Sequence, residues 1–522
     1  MLRENGVGQP FPMAWVRPVE ANTLSTRTLR PSAEPRPQAW RVAAVAAVIG
    51  ILVAVPLEYY FVENAPSGPT NGPTSAEWKA FASHIDHIVF LVLENHAYDS
   101  YFGAYCPALG PYCPSVNNGI APGTCVLLDD SQPNGACVKP FNFTAANWSI
   151  HAPLPHNEVS SLAAWNGGLM NGFYAAENSG LTPFGHYNAT TAPLDWDLAE
   201  EYGLSDDFFS SILSYSLPNH WHIVAGQAPQ QIVGNFTAID QGATVAGDHK
   251  YLNQANSTRS IEDLLLGSNV SWKYYDYTLG TYSEAIQVPG SGGTGGSGGP
   301  FEGQAYNYWN PQAAKAESYN ESFISHYVTN TAFFGDARNG SLPAISWVIP
   351  AGQDSDHPPD NSTLAQSFTA SVVDAVESSP EWNRTALFIT WDDYGGFYDG
   401  VPPPQVDAGQ QLGFRVPLLV ISPYTPADYI GSSMGYFESI LHLMEWRFQL
   451  GCITELDCNA PLPLNFFDFG QAPRAPMLFP TTFSDMVYPI VPASLAAHVP
   501  VGAYYPPSNF TYFPDGEAPD ID

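Results

Sequence analysis

Short, fully apolar runs alternate along this chain with longer stretches of helical period. "HIVFLVLEN" (87–95), "PAISWVIP" (343–350), "ALFITW" (386–391) and "VPLLVISPY" (416–424) lack the polar alternation of a half-exposed strand. Such runs suit strands covered on both faces. "SFTASVVDAVESS" (367–379) and "FESILHLMEWRFQL" (437–450) instead space their apolar residues three and four apart, as amphipathic helices do. Strands buried on both faces and separated by helices predict an α/β fold with a mostly parallel central sheet flanked by helices.

The longest apolar run lies near the start: "VAAVAAVIGILVAVPL" (42–57), followed by "EYYFV". Six of the 17 basic residues precede it (Arg3, Arg17, Arg27, Arg30, Arg36 and Arg41). By the positive-inside rule the Arg-rich arm stays cytoplasmic and the rest lies outside. The expected organisation is a basic arm (1–41), a transmembrane signal anchor (42–62), a Pro/Gly/Ser linker (63–76) and an extracellular domain (77–522). If the anchor is cleaved, the protein is secreted. "PGSGGTGGSGGP" (289–300) has glycine in common with phosphate-cradling loops but neither a preceding strand nor a lysine, and reads as a surface loop.

Composition adds constraints. With 522 residues a large core is affordable, as one domain with insertions or as two. A net charge of -33 argues against a nucleic-acid partner, because phosphate binding needs clustered Lys and Arg. An anionic substrate would need a local cation. The cysteines are six and close in pairs (Cys106 and Cys113, Cys125 and Cys137, Cys452 and Cys458), which reads as local disulfides. Eleven N-x-S/T sequons, Asn142, Asn235, Asn320 and Asn509 among them, suit N-glycans on an external surface.

Open α/β sheets place their sites beyond the carboxyl ends of strands. Two junctions stand out: Glu94 and Asn95 after the first apolar run, and Asp392 and Asp393 after "ALFITW". Three carboxylates and an amide form an all-oxygen pocket that repels itself unless a cation sits there. Ser216, in the polar loop before Leu217-Pro218-Asn219, is suited to nucleophile or to helix N-cap.

The ordered set "ENHAYDSYFG", "PLPH", "SYSLPN", "SDHPP", "TWDDYGGFYD", "GFRVPLLVISPY" and "NFFDF" resembles the bacterial phospholipase C and acid phosphatase family of phosphoesterases, related in fold to alkaline phosphatase. This resemblance implies an alkaline-phosphatase-like fold and one divalent metal ion held by Glu94, Asn95, Ser216, Asp392 and Asp393. It implies Ser216 as the nucleophile and His156 and His357 as residues at the phosphate or leaving group. The expected substrate is a phosphate monoester or a phospholipid. Attack by Ser216 would form a phosphoserine that water releases. A histidine protonated at mildly acidic pH predicts an acidic optimum.

The chain departs from the family in carrying His96 where relatives often have Arg, and Gly400 where many have His. A further histidine of the acid phosphatases is missing where "YNYWNPQ" (306–312) aligns. These changes bear on substrate preference. A catalytically inactive, glycosylated envelope protein with the same fold is the alternative; a sulfatase lacks support, since no Cys/Ser-x-Pro-x-Arg motif is present. The segments around Trp196, Trp221 and Trp309 are suited to an apolar patch near the pocket or to core packing.

Overall fold

A computed structural model describes residues 76–105, 118–128, 135–143, 153–176, 179–229, 257–276, 309–311, 323, 325–350, 352–359, 362–406, 409–481 and 491–492. The expected arm, anchor and most of the linker, the glycine-rich loop at 289–300, and Cys106 and Cys113 lie outside these residues. Among the described residues no helix is long and apolar enough to cross a membrane. The chain divides into a unit 1–64 and a unit 65–522.

Eight strands form the central sheet: β1 (His87–Leu93), β2 (Gly203–Ser205), β3 (Trp272–Asp276), β4 (Tyr327–Val328), β5 (Ile345–Ile349), β6 (Thr385–Trp391), β7 (Leu418–Ile421) and β8 (Tyr429–Gly431). Their order is β8-β2-β7-β6-β1-β5-β3-β4. Five of the pairings are parallel and the two that β7 makes, with β6 and β2, are antiparallel. Every residue of β5, β6 and β7, and all of β1 after His87, is buried. Successive side chains of a strand point to opposite faces, so both faces of the sheet are covered.

The helices that matter for the site are α1 (Tyr98–Phe102), α2 (Glu158–Trp165), α3 (Ser216–Ala225), α4 (Ser362–Glu377) and α5 (Phe437–Phe448). Both helices read from the sequence, α4 and α5, are present. The disulfides Cys125–Cys137 and Cys452–Cys458 are formed. Trp221 and Trp309 are buried in the core and Trp196 packs against it, so these rings serve packing.

The placing of Ser216 needs a correction. It is the first residue of α3, with Tyr215 as N-cap, rather than part of the preceding loop. Pro218 falls in the first turn, whose N–H groups have no partner within a helix, so the proline removes no hydrogen bond there.

Candidate active site

β1 and β6 pair in strict register from His87 with Thr385 to Leu93 with Trp391. The residues that follow, Glu94 and Asp392, therefore leave the sheet side by side. Asp392 N donates to Leu93 O at 2.9 Å, and Asn95 N donates to Asp392 Oδ1 at 3.0 Å. The chain then turns sharply: Asn95 has φ 62°, Gly395 φ 59° and Gly396 φ 80°. A Cβ on Gly395 would stand 1.9 Å from Asn95 O, so only glycine permits the two junctions to close on each other. Gly395 N in turn donates to Asp393 Oδ1 at 2.6 Å.

α3 delivers Ser216 to this junction. Asn219 holds the preceding loop in place: its Oδ1 accepts from Ser211 N and Ile212 N, both at 3.2 Å, and its Nδ2 donates to Ser214 O and Tyr215 O. Ser216 Oγ donates to Glu94 Oε2 at 3.1 Å and approaches Asn95 Oδ1 at 3.3 Å.

The two predicted histidines stand together, ring centroids 6.5 Å apart. In each, Nδ1 donates to a backbone carbonyl, Leu154 O for His156 (2.6 Å) and Pro358 O for His357 (2.5 Å). A carbonyl only accepts, so Nδ1 carries a proton in both rings and proton exchange falls to Nε2. His156 Nε2 lies 4.0 Å from Asp393 Oδ2. His357 is tied to the first junction through Ser355, whose carbonyl accepts from Glu94 N at 2.8 Å and whose Oγ accepts from His357 N at 3.1 Å. Glu94, Asn95, Ser216, Asp392, Asp393, His156 and His357 are all buried. Glu94, Asn95, Ser216, Asp392 and Asp393 thus stand beyond the carboxyl ends of β1 and β6, with His156 beside Asp393.

A family model for the phosphoesterase family matches residues 85–451. The chain belongs to the phosphoesterase family. The chain is 28% identical over 411 residues to a non-hemolytic phospholipase C of Burkholderia pseudomallei, covering 70% of this chain and 55% of that protein. It therefore spans about half the length of that relative. It is 27% identical over 409 residues to phospholipase C B of Mycobacterium tuberculosis, covering 70% of this chain and 73% of that one. A solved protein in the alkaline phosphatase superfamily from Vibrio parahaemolyticus aligns with a TM-score of 0.27 at 11% identity, covering 58% of this chain and 71% of that one.

Three features of the site were not foreseen from the sequence. His220, one turn after Ser216 on α3, puts Nε2 2.8 Å from Glu94 Oε1 and 3.8 Å from Asp392 Oδ2. The i, i+4 spacing within "SLPNH" was the available signal. Asp356, in "SDHPP", accepts from Tyr101 Oη at 2.5 Å and Trp391 Nε1 at 2.8 Å, and stands 3.2 Å from His96 Nδ1. His96 thus serves a buried acid behind the crevice. Arg415, in "GFRVP", is fully buried and pairs with Asp99 (3.0 Å) and Asp399 (3.1 Å), which follow the two junctions. It clamps one junction to the other. Burial, and then the charge of Asp399, push the Asp99 carboxyl up to about 7. Gly400, the other departure from the family, donates its N–H to Asp99 Oδ2 at 2.8 Å and so belongs to this clamp.

The residues present fit a divalent ion. Carboxylate, amide and hydroxyl oxygens from Glu94, Asn95, Ser216 and Asp392 converge in a buried space, and Asp392 Oδ2 has no hydrogen-bond partner among the described residues. Buried carboxylates so close together demand positive charge. Ligand atoms of Glu94, His220 and Asp392 all lie within 4.8 Å of one another.

Proposed function

We propose that this protein is a metal-dependent phosphoester hydrolase of the cell exterior that uses Ser216 as nucleophile and acts on phospholipids. The observation that carries the reading is the Ser216 hydroxyl aimed at Glu94 and Asn95 from the first turn of α3, beside Asp392. A serine placed among carboxylates in this way is set up for deprotonation and phosphate chemistry once a cation offsets the charge. A divalent ion held by Glu94, Asn95, Asp392 and Ser216, with Asp393 beside them, would supply that charge and lower the pKa of the hydroxyl.

Ser216 Oγ then attacks phosphorus in line, the bond from phosphorus to the ester oxygen breaks, and the alcohol leaves as His156 or His357 donates a proton from Nε2. The histidine, now neutral, takes a proton from water as that water attacks phosphoserine. Phosphate, or phosphocholine from a phosphatidylcholine, departs and Ser216 is restored. Ser216 stands at the N-terminus of α3, the end of a helix that favours an anionic phosphoryl group.

A lipid substrate is supported by exposed apolar side chains close in sequence to His156. Among the described residues five large apolar side chains are exposed, and four of them, Val159 (60%), Leu162 (45%), Leu169 (69%) and Leu181 (52%), fall within 23 residues of each other beginning three residues after His156. Two of them lie on α2, whose N-cap is Asn157. The names of the relatives, both phospholipases C, agree with this choice. The apolar run expected to anchor the chain at 42–62, the N-x-S/T sequons and the disulfides Cys125–Cys137 and Cys452–Cys458 support this external location.

The test is turnover by the full-length protein in mild detergent, with p-nitrophenyl phosphate and with phosphatidylcholine, beside Ser216→Ala. Loss of the nucleophile should lower kcat by about 10³-fold or more on either substrate. Equal rates for the two proteins would remove Ser216 from the mechanism, and turnover of the monoester alone would remove the lipid assignment.

A further inference from the structure

The oxygen donors expected at the metal account for four residue types but leave His220 without a role. It is buried, sits one helical turn behind the nucleophile, and aims Nε2 between Glu94 Oε1 (2.8 Å) and Asp392 Oδ2 (3.8 Å). Asp392 Oδ2, the oxygen on the far side of that gap, is fully buried and has no hydrogen-bond partner among the described residues. Ligands about 2.1 Å from a first-row divalent ion stand roughly 3–3.5 Å from one another, and the two separations to Nε2 bracket that range.

We infer that His220 is a nitrogen ligand of the metal site, and that the site selects an imidazole-binding transition-metal dication over magnesium or calcium. The inference rests on the metal-dependent reading above. An all-oxygen pocket suits magnesium or calcium, whereas one imidazole among the oxygens shifts preference toward zinc, cobalt, iron or manganese. The helix enforces the arrangement: residues four apart lie on one face, so an ion that contacts Ser216 is also reached by His220. The α3 position is rigid, because Asn219 laces the preceding loop and His222, on another face, donates from Nδ1 to Glu438 Oε1 at 2.6 Å.

The experiment uses full-length protein stripped with chelator and titrated with cobalt(II), read by its visible ligand-field absorption. Metal content is measured by mass spectrometry after dialysis against equimolar zinc, manganese, magnesium and calcium. Wild type should take up about one transition-metal ion per chain and exclude magnesium and calcium by at least roughly tenfold. His220→Gln should weaken cobalt and zinc by about 100-fold and leave calcium and magnesium affinity within about threefold. His222→Gln, on the same helix, should leave the cobalt spectrum unchanged. His220→Cys decides the case if His220→Gln does not fold, because a thiolate at a ligand position adds a sulfur-to-cobalt charge-transfer band in the near ultraviolet. Wild-type metal binding with an unchanged spectrum and affinity in His220→Gln, or no charge-transfer band in a folded His220→Cys, would overturn the inference while leaving the hydrolase reading intact. No dication bound by wild type would overturn both.

Discussion

Arg415→Met should destabilise the protein strongly at pH 8 and only mildly at pH 5. The guanidinium donates to Asp399 Oδ2 at 3.1 Å, Asp99 Oδ1 at 3.0 Å, Asp206 O at 2.8 Å and Asn118 O at 3.0 Å, and lies 4.2 Å from the centre of the Tyr98 ring. Methionine keeps most of the volume but leaves two buried carboxyls and two carbonyls without their donor. Removing one member of a buried ion pair costs about 3–5 kcal/mol when the other stays charged. Here the carboxyls have an escape, which is to hold a proton. Burial raises both, with Arg415 pulling against it; Asp99 already sits at about 7 in the presence of the arginine. Without Arg415 both rise further. Wild type therefore releases protons, as pH climbs from 5 to 8, that the folded variant retains, while the unfolded chain is the same in both. The sign follows from linkage: the difference in stability grows with pH. At pH 5 the loss reduces to weakened neutral hydrogen bonds and the Tyr98 contact, about 1–2 kcal/mol. Urea unfolding monitored by tryptophan fluorescence at the two pH values measures both numbers. A loss that is equal at pH 5 and pH 8 would refute the account of the clamp.

Three further outcomes are expected. Gly395→Ala should lower kcat/KM by at least about tenfold with a smaller effect on the melting temperature, because the added Cβ meets Asn95 O and the left-handed backbone costs about 1 kcal/mol or more; unchanged kinetics would show that the Asn95 turn is not tied to turnover. Asp374→Asn should stabilise the protein at pH 8.5 by on the order of 2–4 kcal/mol and hardly at pH 4. Burial pushes that carboxyl up to about 8, so the folded state holds a proton the unfolded chain loses near 4, and wild-type stability from this group falls between those values; an asparagine still accepts from Phe479 N. Urea midpoints at the two pH values check it, and an equal shift at both would count against the assignment. The double substitution Leu162→Ser with Leu169→Ser should halve or further reduce sedimentation with phosphatidylcholine vesicles while p-nitrophenyl phosphate turnover stays within about twofold; undiminished vesicle binding would remove this surface from lipid contact.

What was legible in the sequence follows from which forces act locally. β1, β5, β6 and β7 stood out because strands buried on both faces must be apolar at every position, so the pattern reports tertiary burial directly. The acidic junctions stood out because carboxylates at strand ends are anomalous against that background. Clusters built from distant segments were opaque: Arg415 reads as one basic residue in an apolar stretch, and its partners Asp99 and Asp399 lie 316 and 16 residues away. The start of α3 at Ser216 was opaque because Pro218 two residues on reads as a helix boundary, although a first-turn proline gives up no bond.

His220 shows where reading a chain for resemblance limits what is seen. The motif "SYSLPN" stops one residue before it, and a lone histidine in a helix is more often a satisfied core residue than a ligand. Only the register of β1 with β6, which puts Glu94 and Asp392 side by side, turns the next helical position into a third donor at the same point. The chain carries 17 basic residues against 50 acidic ones, and the clamp already spends its buried Arg415 on Asp99 and Asp399. The positive charge that the Glu94 and Asp392 pair requires therefore has to come from a bound cation, and His220 Nε2, 2.8 Å from Glu94 Oε1 and 3.8 Å from Asp392 Oδ2, is placed to share it.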